Sequence, residues 1–446
     1  MVKDLTEGKV RRVVWHFTLP MFISVIFQQL YNIADSVIVG NFSVNGEDSL
    51  AAVGASYPIT MIFMCIAMGC NTGCSVVISQ FFGAKKYKEV KTAVSTTLIA
   101  SLGLSAILTV VGIGLSRGML ILLQTPVNIL KDASVYLQIY TLGFVFVFLY
   151  NIVTGIFTAL GDSKTPLYFL IGSSVGNVVL DLLFVAGFHQ DVKGAAWATF
   201  MCQGIAAILA LWTLHKRVKA IAVAGKPERF SMDMLKRIGI IAIPSVLQQS
   251  FVSVGNIFIQ RLINGYGSPV IAGYSAAIKI NTFVITCFGT LGTAMSNFAA
   301  QNLGAGKPER VRSGLKEGWL MGLLIGIPGF LVCFFCGEVL IQLFIKEETY
   351  LALDTGIKFL RIVSPFFCVV AMKLITDGVL RGAGAMKSFM VATFSDLILR
   401  VGLGYILSVP LGTTGIWMSW PVGWTIGTVL SLMFYKMGVW KNRKIV

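Results

Sequence analysis

The feature that most constrains this chain is a series of twelve long apolar segments separated by short polar loops. A membrane-spanning α-helix needs about 20 consecutive, mostly apolar residues. Continuous runs of this length predict helices, because transmembrane β-strands instead alternate apolar and polar residues. We therefore expect an all-α polytopic membrane protein with twelve transmembrane helices. The predicted spans are 13–39, 50–80, 92–116, 132–158, 166–188, 194–214, 238–263, 270–300, 314–336, 355–380, 388–409 and 414–435.

The basic residues are concentrated in the loops on one side of the predicted membrane spans. A formal charge of +16 would suggest a nucleic-acid partner in a water-soluble protein, but here most Lys and Arg residues lie at span ends that face one side. Cytoplasmic loops carry the excess of Lys and Arg, so that side is predicted to be cytoplasmic. We expect a plasma (inner) membrane protein with both termini in the cytoplasm and no nucleic-acid partner. The opposite loops carry only Arg117, Lys131, Lys193 and Lys346.

Internal similarity divides the chain into two halves of six spans. Pro20 opens the first span and Pro244 lies early in the seventh, and a Gln-Gln pair follows each proline. An even number of spans gives both halves the same orientation, so a pseudo-two-fold axis along the membrane normal is expected to relate two six-helix bundles. The predicted domains are an N-terminal lobe at 1–215, a cytoplasmic linker at 216–236 and a C-terminal lobe at 237–446.

Acidic side chains inside the spans of the first half mark a candidate ion site. Asp35 shares one helix face with Gln28 and Tyr31, and Asn177 and Asp181 share another at i, i+4. A charged group inside the bilayer is costly, so these residues should face a cavity or a partner. Carboxylates with neutral oxygens suit a proton or Na⁺. The alternative is that Asp35 and Asp181 only form structural hydrogen bonds between helices or pair with an internal lysine such as Lys279.

The second half lacks a carboxylate in its seventh span, which carries Gln248, Gln249 and Asn256 instead. Lys279 lies inside the eighth span, either in a cavity or as a side chain that reaches toward the interface. Opposite charges four residues apart on a helix favour structural ion pairs. The two pairs predicted in this way are Lys373 with Asp377 in the tenth span and Asp396 with Arg400 in the eleventh.

Short motifs accompany the spans: QQLYNIADSVIVG at 28–40, SQFFGAKK at 79–86, ALGDSKTP at 159–166, GNVVLDLLF at 176–184 and GAAWAT at 194–199. Together with the two-half layout, these motifs resemble those of the multidrug and toxic compound extrusion (MATE) family. The resemblance covers essentially the whole chain. Within the family it is similar to the bacterial branches typified by DinF and MepA.

The resemblance implies a secondary active efflux transporter that exports organic cations or amphipathic drugs in exchange for H⁺ or Na⁺ by alternating access. It implies a cation-coupling site in the first lobe at Asp35, Asn177, Asp181 and Thr199, which would also be the metal ligands with Na⁺. The NorM branch has acidic residues in its second lobe too, which this chain does not match. The expected substrate-binding residues are Gln28, Tyr31, Asn151, Gln248, Gln249, Asn256 and Lys279.

Other functions stay open. Related families with the same two-lobe fold flip lipid-linked saccharides or peptidoglycan precursors, and Lys279 could bind their phosphates. No nucleophile–base pair or metal cluster is apparent in the sequence, so we predict no enzymatic activity and no cofactor besides the coupling ion, H⁺ or Na⁺. The expected partners are small organic drugs, often cationic, and membrane lipid, and the protein is expected to act as a monomer.

Overall fold

Long helices make up most of the chain in a computed structural model. It describes the backbone of residues 4–42, 46–188, 191–223, 225–345 and 350–441, and the side chains in these ranges except 32–42, 46–50, 186 and 191–192. No β-strand occurs in the described residues. The helices are α1 Val10–Phe42, α2 Gly46–Gly83, α3 Tyr87–Leu122, α4 Val127–Ala159, α5 Lys164–Asp181, α6 Asp191–Ala220, α7 Met232–Asn264, α8 Ser268–Gly304, α9 Pro308–Phe335, α10 Gly337–Gln342, α11 Tyr350–Val363, α12 Phe367–Gly382, α13 Met386–Leu411 and α14 Thr413–Lys436.

These helices match the predicted spans. Within the described residues, eleven helical stretches are long and apolar enough to cross a membrane, and α11 and α12 together form one of them. The twelfth predicted span is α14, a 24-residue helix whose single charged residue is Lys436 at its last position. The prediction of an all-α, twelve-span membrane protein is confirmed.

Two predicted spans are interrupted where the sequence indicates continuous helices. A 3₁₀ segment, Ser364–Phe366, separates α11 from α12. Its Pro365 has no backbone N–H and clashes with the preceding turn of an α-helix. The helix α5 ends at Asp181 and continues as a π-helical segment, Leu182–Gly187. Such π-helical turns are frequent at functional sites.

Two compact units divide the chain, and the division falls inside α1 and α7. Unit 1 comprises Met1–Asp4 with Leu19–Val246, and unit 2 comprises Leu5–Thr18 with Leu247–Val446. The boundaries lie next to the prolines inside these helices. A proline inside a helix removes a backbone hydrogen bond and bends the helix, so each boundary falls near a weak point. The predicted division at a linker over 216–236 stays a prediction.

In unit 1, the segment before α7 is bound to the first turns of α3. We call Glu228–Ser231 the linker strap. The Ser95 hydroxyl donates to the carbonyl of Arg229 at 2.6 Å, and the N–H of Glu228 donates to Thr92 Oγ1 at 3.2 Å. Hydroxyl side chains on α3 therefore form hydrogen bonds with the backbone of the linker strap, which has no regular secondary structure of its own.

In unit 2, the turn between α8 and α9 binds the segment before α1. We call Leu5–Gly8 the N-terminal strap. The Arg310 guanidinium donates to three of its carbonyls at 2.7 to 3.2 Å, and Lys307 Nζ donates to the fourth, that of Thr6, at 2.9 Å. Basic side chains therefore satisfy every carbonyl of the N-terminal strap.

Glycines let α8 and α12 pack closely in unit 2. A Cβ atom built on Gly378 would overlap the carbonyl of Gly292, and one built on Gly382 would overlap the carbonyl of Ser296. Small residues permit this approach of two backbones and are typical of helix interfaces in membrane proteins. The contact holds α12, which carries several charged residues, against the interior of unit 2.

Candidate functional site

The candidate ion site of unit 1 is built on the last turns of α5. Beyond the first turn of this helix, the buried side chains are all polar: Ser174, Asn177 and Asp181. Asn177 is 3% exposed and Asp181 is completely buried. Because residues four apart lie on the same face of an α-helix, their side chains project together from the end of the helix.

The Asn177 side chain connects three helices. With its amide oriented by the hydrogen-bond network, the nitrogen donates to Asp181 Oδ2 at 2.7 Å and to the hydroxyl of Tyr31 on α1 at 3.2 Å. Its oxygen accepts from the backbone N–H of Thr199 on α6 at 3.1 Å. The Thr199 hydroxyl lies 3.4 Å from the same amide. Four residues predicted to serve the cation or substrate site, on α1, α5 and α6, are thus in one hydrogen-bond network.

The chemistry of this network suits a small cation. A buried carboxylate is costly unless hydrogen bonds or a positive charge compensate it. Asp181 shares the network with one carboxamide and two hydroxyl groups, whose oxygens are of the type that hard cations prefer as ligands. A proton on the carboxylate would meet the same need for charge compensation. The residues present therefore fit either coupling ion, H⁺ or Na⁺.

The predicted role of Asp35 stays a prediction. Its backbone belongs to α1, one turn beyond Tyr31, but its side chain lies outside the described residues. Because Tyr31 is in the network, the face of α1 that carries it is directed to Asn177 at this level.

The other predicted substrate residues of unit 1 are outside the network. Gln28 is exposed on α1. Asn151 is half-buried on α4, and its Nδ2 donates to the carbonyl of Val147 one turn earlier, at 2.8 Å. This hydrogen bond uses one of the two hydrogens of the side-chain amide and leaves the side-chain carbonyl oxygen of Asn151 for other partners.

The predicted substrate residues of unit 2 do not form one cluster in the described contacts. Gln248 and Gln249 are half-buried on α7, and Asn256 is exposed two turns later. Lys279 is exposed on α8, and its Nζ lies 5.6 Å from the ring centroid of Phe344. At this distance the ammonium interacts with the face of the aromatic ring.

A buried charge cluster lies where α12, α13 and α14 meet in unit 2. Lys373 Nζ lies 2.9 Å from Asp377 Oδ2, so the predicted pair within α12 is confirmed. The same ammonium lies 3.5 Å from Asp396 Oδ2 on α13. Ser431 on α14 donates to the other oxygen of Asp377. One lysine therefore links two carboxylates, and all three side chains are almost completely inaccessible.

The predicted pair of Asp396 with Arg400 is wrong as a direct ion pair. Asp396 pairs with Lys373 of the neighbouring helix instead. The guanidinium of Arg400 lies 4.4 Å from the ring centroid of Trp420 on α14, in a cation–π contact. Helical spacing permits a contact at i, i+4, but side-chain directions and the neighbouring helices decide whether it forms.

One ion pair of unit 1 has no obvious signal in the sequence. Asp162, in the turn between α4 and α5, lies 2.9 Å from Arg217 near the end of α6. Its carboxylate also accepts from the backbone N–H groups of Lys164 and Thr165 at the start of α5. The Gly-Asp-Ser sequence before a helix indicates an N-terminal cap. The distant partner on α6 could not be predicted without the fold.

Comparisons with known proteins agree with this architecture. A family model described as MatE matches residues 20–183 and 244–406. The probable multidrug resistance protein YpnP of Bacillus subtilis (strain 168) is 28% identical over 444 residues, which cover 99% of this chain and 98% of that protein. The multidrug export protein MepA of Staphylococcus haemolyticus (strain JCSC1435) is 23% identical over 429 residues, covering 96% of this chain and 93% of that protein.

Solved structures share the fold. One described as the outward-facing conformation of a multidrug resistance MATE family transporter of the MOP superfamily matches with a TM-score of 0.91. It is 22% identical in sequence, and the match covers 98% of this chain and 97% of that one. At this identity the likeness concerns the fold, twelve helices in two lobes. The two stretches matched by the family model begin at Pro20 and Pro244, the prolines that mark the internal repeat.

Proposed function

Because this chain belongs to the MatE family, we propose that it is a secondary active transporter that exports organic cations or amphipathic drugs in exchange for H⁺ or Na⁺. The observation that carries the coupling mechanism is the network of Asp181, Asn177, Tyr31 and Thr199. It combines a carboxylate inside a membrane span with hydrogen-bonding groups from three helices. An intramembrane carboxylate is by default a candidate functional group.

The network suggests how ion binding reaches the substrate cavity. Asp181 is the group that binds the ion, and Asn177 links it to α1 through Tyr31. An ion or proton bound to Asp181 occupies carboxylate oxygens that otherwise accept a hydrogen bond from Asn177. The amide of Asn177 then reorients, and its hydrogen bond to Tyr31 changes with it. A ligand shifts a conformational equilibrium only through different affinities for the two states. We infer that the two states differ in how α1 packs against α5, and that the coupling ion binds these two states with different affinities.

The experiment is drug-induced ion release from the full-length protein in liposomes, with Na⁺ and pH varied independently. Asp181→Asn removes the charge and keeps the shape, so we expect coupled export to be lost. The matched control is Asp233→Asn, at an exposed acid that pairs with Arg237 at 2.9 Å. It should transport normally. Coupled export by Asp181→Asn at the wild-type rate would refute the proposed role of the network.

A flippase of lipid-linked precursors is the second candidate. The observation that favours it is the exposed Lys279 inside a membrane-spanning helix, where a cation could bind a phosphate. Binding of a lipid pyrophosphate and of an organic cation to the purified protein separates the two functions. An organic cation should compete with the coupling ion, whereas a flippase substrate should require Lys279 and be indifferent to Asp181→Asn.

The location and orientation also belong to the proposal. We infer that the protein is a multi-pass protein of the plasma membrane with both termini in the cytoplasm, because the basic loops alternate with the spans. We infer that it acts as a monomer with small drugs and membrane lipid as partners. With the exposed Cys336 replaced by Ser, a cysteine introduced at an exposed site such as Lys441 should react with an impermeant thiol reagent only in inverted vesicles.

A further inference from the structure

Three segments of unit 1, distant in sequence, bring basic residues to one surface. Tyr87 at the start of α3 lines a cavity of 710 Å³ with Arg217 and Ala220 at the end of α6. The segment before α7 lies against the same turns, where a Cβ atom built on Gly225 would lie 4.0 Å from Lys88 Nζ. We call this surface the basic patch. It comprises Lys85, Lys86, Lys88, Lys91, Lys216, Lys219, Lys226 and Arg229.

The positive charge of the basic patch exceeds what nearby acids supply. Its eight basic residues are accompanied by three acids: Asp4, Glu89 and Glu228. The described contacts provide no protein acceptor for the ammonium groups of Lys86 and Lys88. The equivalent turn of unit 2 differs, because Lys307 and Arg310 donate to the carbonyls of the N-terminal strap. Unit 1 binds its strap through hydroxyl groups instead, so in the described contacts the strap does not engage the ammonium groups of Lys86 and Lys88.

Apolar side chains are exposed beside these charges. Phe230 and Met232, which follow Arg229, are 40% and 56% exposed. Trp212 on α6 is 58% exposed, and Lys216 Nζ lies 3.4 Å from its ring centroid. Exposed Trp residues with neighbouring lysines are typical of the level where the bilayer meets water. Exposed apolar side chains beside basic ones are a combination found on surfaces that lie at a membrane interface.

We propose that the basic patch binds the headgroups of anionic phospholipids at the cytoplasmic leaflet, with Phe230 and Met232 inserted between the lipid chains. Basic residues near a membrane surface attract anionic lipids, and neighbouring apolar groups add burial. The segment before α7 is thereby tied both to α3, through Thr92 and Ser95, and to the leaflet. The choice of leaflet rests on the orientation given under the proposed function.

The test measures lipid binding to the purified full-length protein in mixed micelles of phosphatidylglycerol and phosphatidylcholine, by native mass spectrometry. Micelles have no inside or outside, so the result depends neither on orientation nor on drug export. The test variant Lys88→Gln/Lys226→Gln/Arg229→Gln removes three charges from exposed positions. At the attraction typical of one basic residue near an anionic surface, its affinity for phosphatidylglycerol should fall about a hundredfold.

The matched control removes three exposed charges from unit 2, in Lys387→Gln/Lys436→Gln/Lys441→Gln. Because these lysines lie outside the basic patch, the control should lose clearly less affinity for phosphatidylglycerol than the test variant. A second variant, Phe230→Ser, keeps every charge and separates a lipid from free phosphate. It should weaken binding of phosphatidylglycerol, and inorganic phosphate should compete poorly. Equal lipid binding by the test variant and wild type would overturn the proposal. So would an equal loss in the control, or full competition by inorganic phosphate.

Discussion

The buried charge cluster of unit 2 leads to a prediction about stability. Lys373 is 2% exposed and compensates both Asp377 at 2.9 Å and Asp396 at 3.5 Å. In Lys373→Met the side chain keeps a similar length and apolar stem but loses its charge. Two carboxylates then share a buried site without the cation between them. Like charges in such a site repel each other, and neither carboxylate can reach bulk water.

The magnitude follows from the burial of all three groups. Removing one partner of a buried ion pair costs about 3–5 kcal/mol, because the other charge stays buried and uncompensated. For a unit of this size, a loss of 1 kcal/mol lowers the unfolding midpoint by about 2–4 °C. We therefore expect the midpoint for unfolding of unit 2 in Lys373→Met to fall by about 6–20 °C.

Thermal unfolding of the purified protein in neutral detergent measures this change. The matched control is Lys358→Met, because Lys358 also forms an i, i+4 ion pair, with Asp354 at 2.7 Å, but is 56% exposed. Exposed pairs contribute about 0–1 kcal/mol, so the control should unfold close to wild type.

A third variant separates charge from packing. Neutralising the whole cluster in Lys373→Met/Asp377→Asn/Asp396→Asn leaves no buried charge among the three residues. It also removes the carboxylate one turn before the buried Arg400, so it should recover part of the loss. The reasoning would be refuted if Lys373→Met unfolded within about 2 °C of wild type. It would also be refuted if the triple variant were less stable than the single one.

Three further changes test the packing and the straps. Asp162→Ala removes an ion pair and the cap of α5 and should lower the free energy of unfolding by about 1–3 kcal/mol in chemical denaturation, so an unchanged value would contradict the described contacts. Gly378→Val should lower it by about 1–3 kcal/mol because the new side chain overlaps α8, whereas Gly114→Val, in open space, serves as the control that should not. Arg310→Gln should speed proteolysis of the N-terminal strap severalfold, and equal cleavage in the exposed-site control Arg312→Gln would show that the strap is not held as described.

Much of the fold follows from hydropathy, because each span must satisfy its backbone hydrogen bonds internally and therefore forms a helix. The breaks inside these helices are less accessible to sequence reasoning. Pro365 interrupts the tenth span, whereas Pro20, Pro58 and Pro244 are accommodated within long helices. Neighbouring helices decide whether freed backbone groups find other partners, and a single sequence does not contain that information.

The candidate site shows the same limit. The face shared by Asn177 and Asp181 and the face that carries Tyr31 follow from helical spacing, and the resemblance to a family assigned Thr199 to the same site. The bridge from Asn177 to Tyr31 required the packing of α1 against α5. Asp396 shows the converse, because its local partner by spacing was Arg400 but its actual partner is Lys373 on another helix. Contacts within one helix can be predicted, whereas those between helices depend on which faces meet.

The N-terminal strap also has a consequence for the order of biosynthesis. Leu5 accepts from Arg310, which is 305 residues later in the chain. A ribosome that adds about 5–20 residues per second needs roughly 15–60 s to make this distance. During that time the N-terminal strap cannot make its native contacts, although it is synthesised before α1. The strap therefore reaches its final position only after the start of α9 has been made.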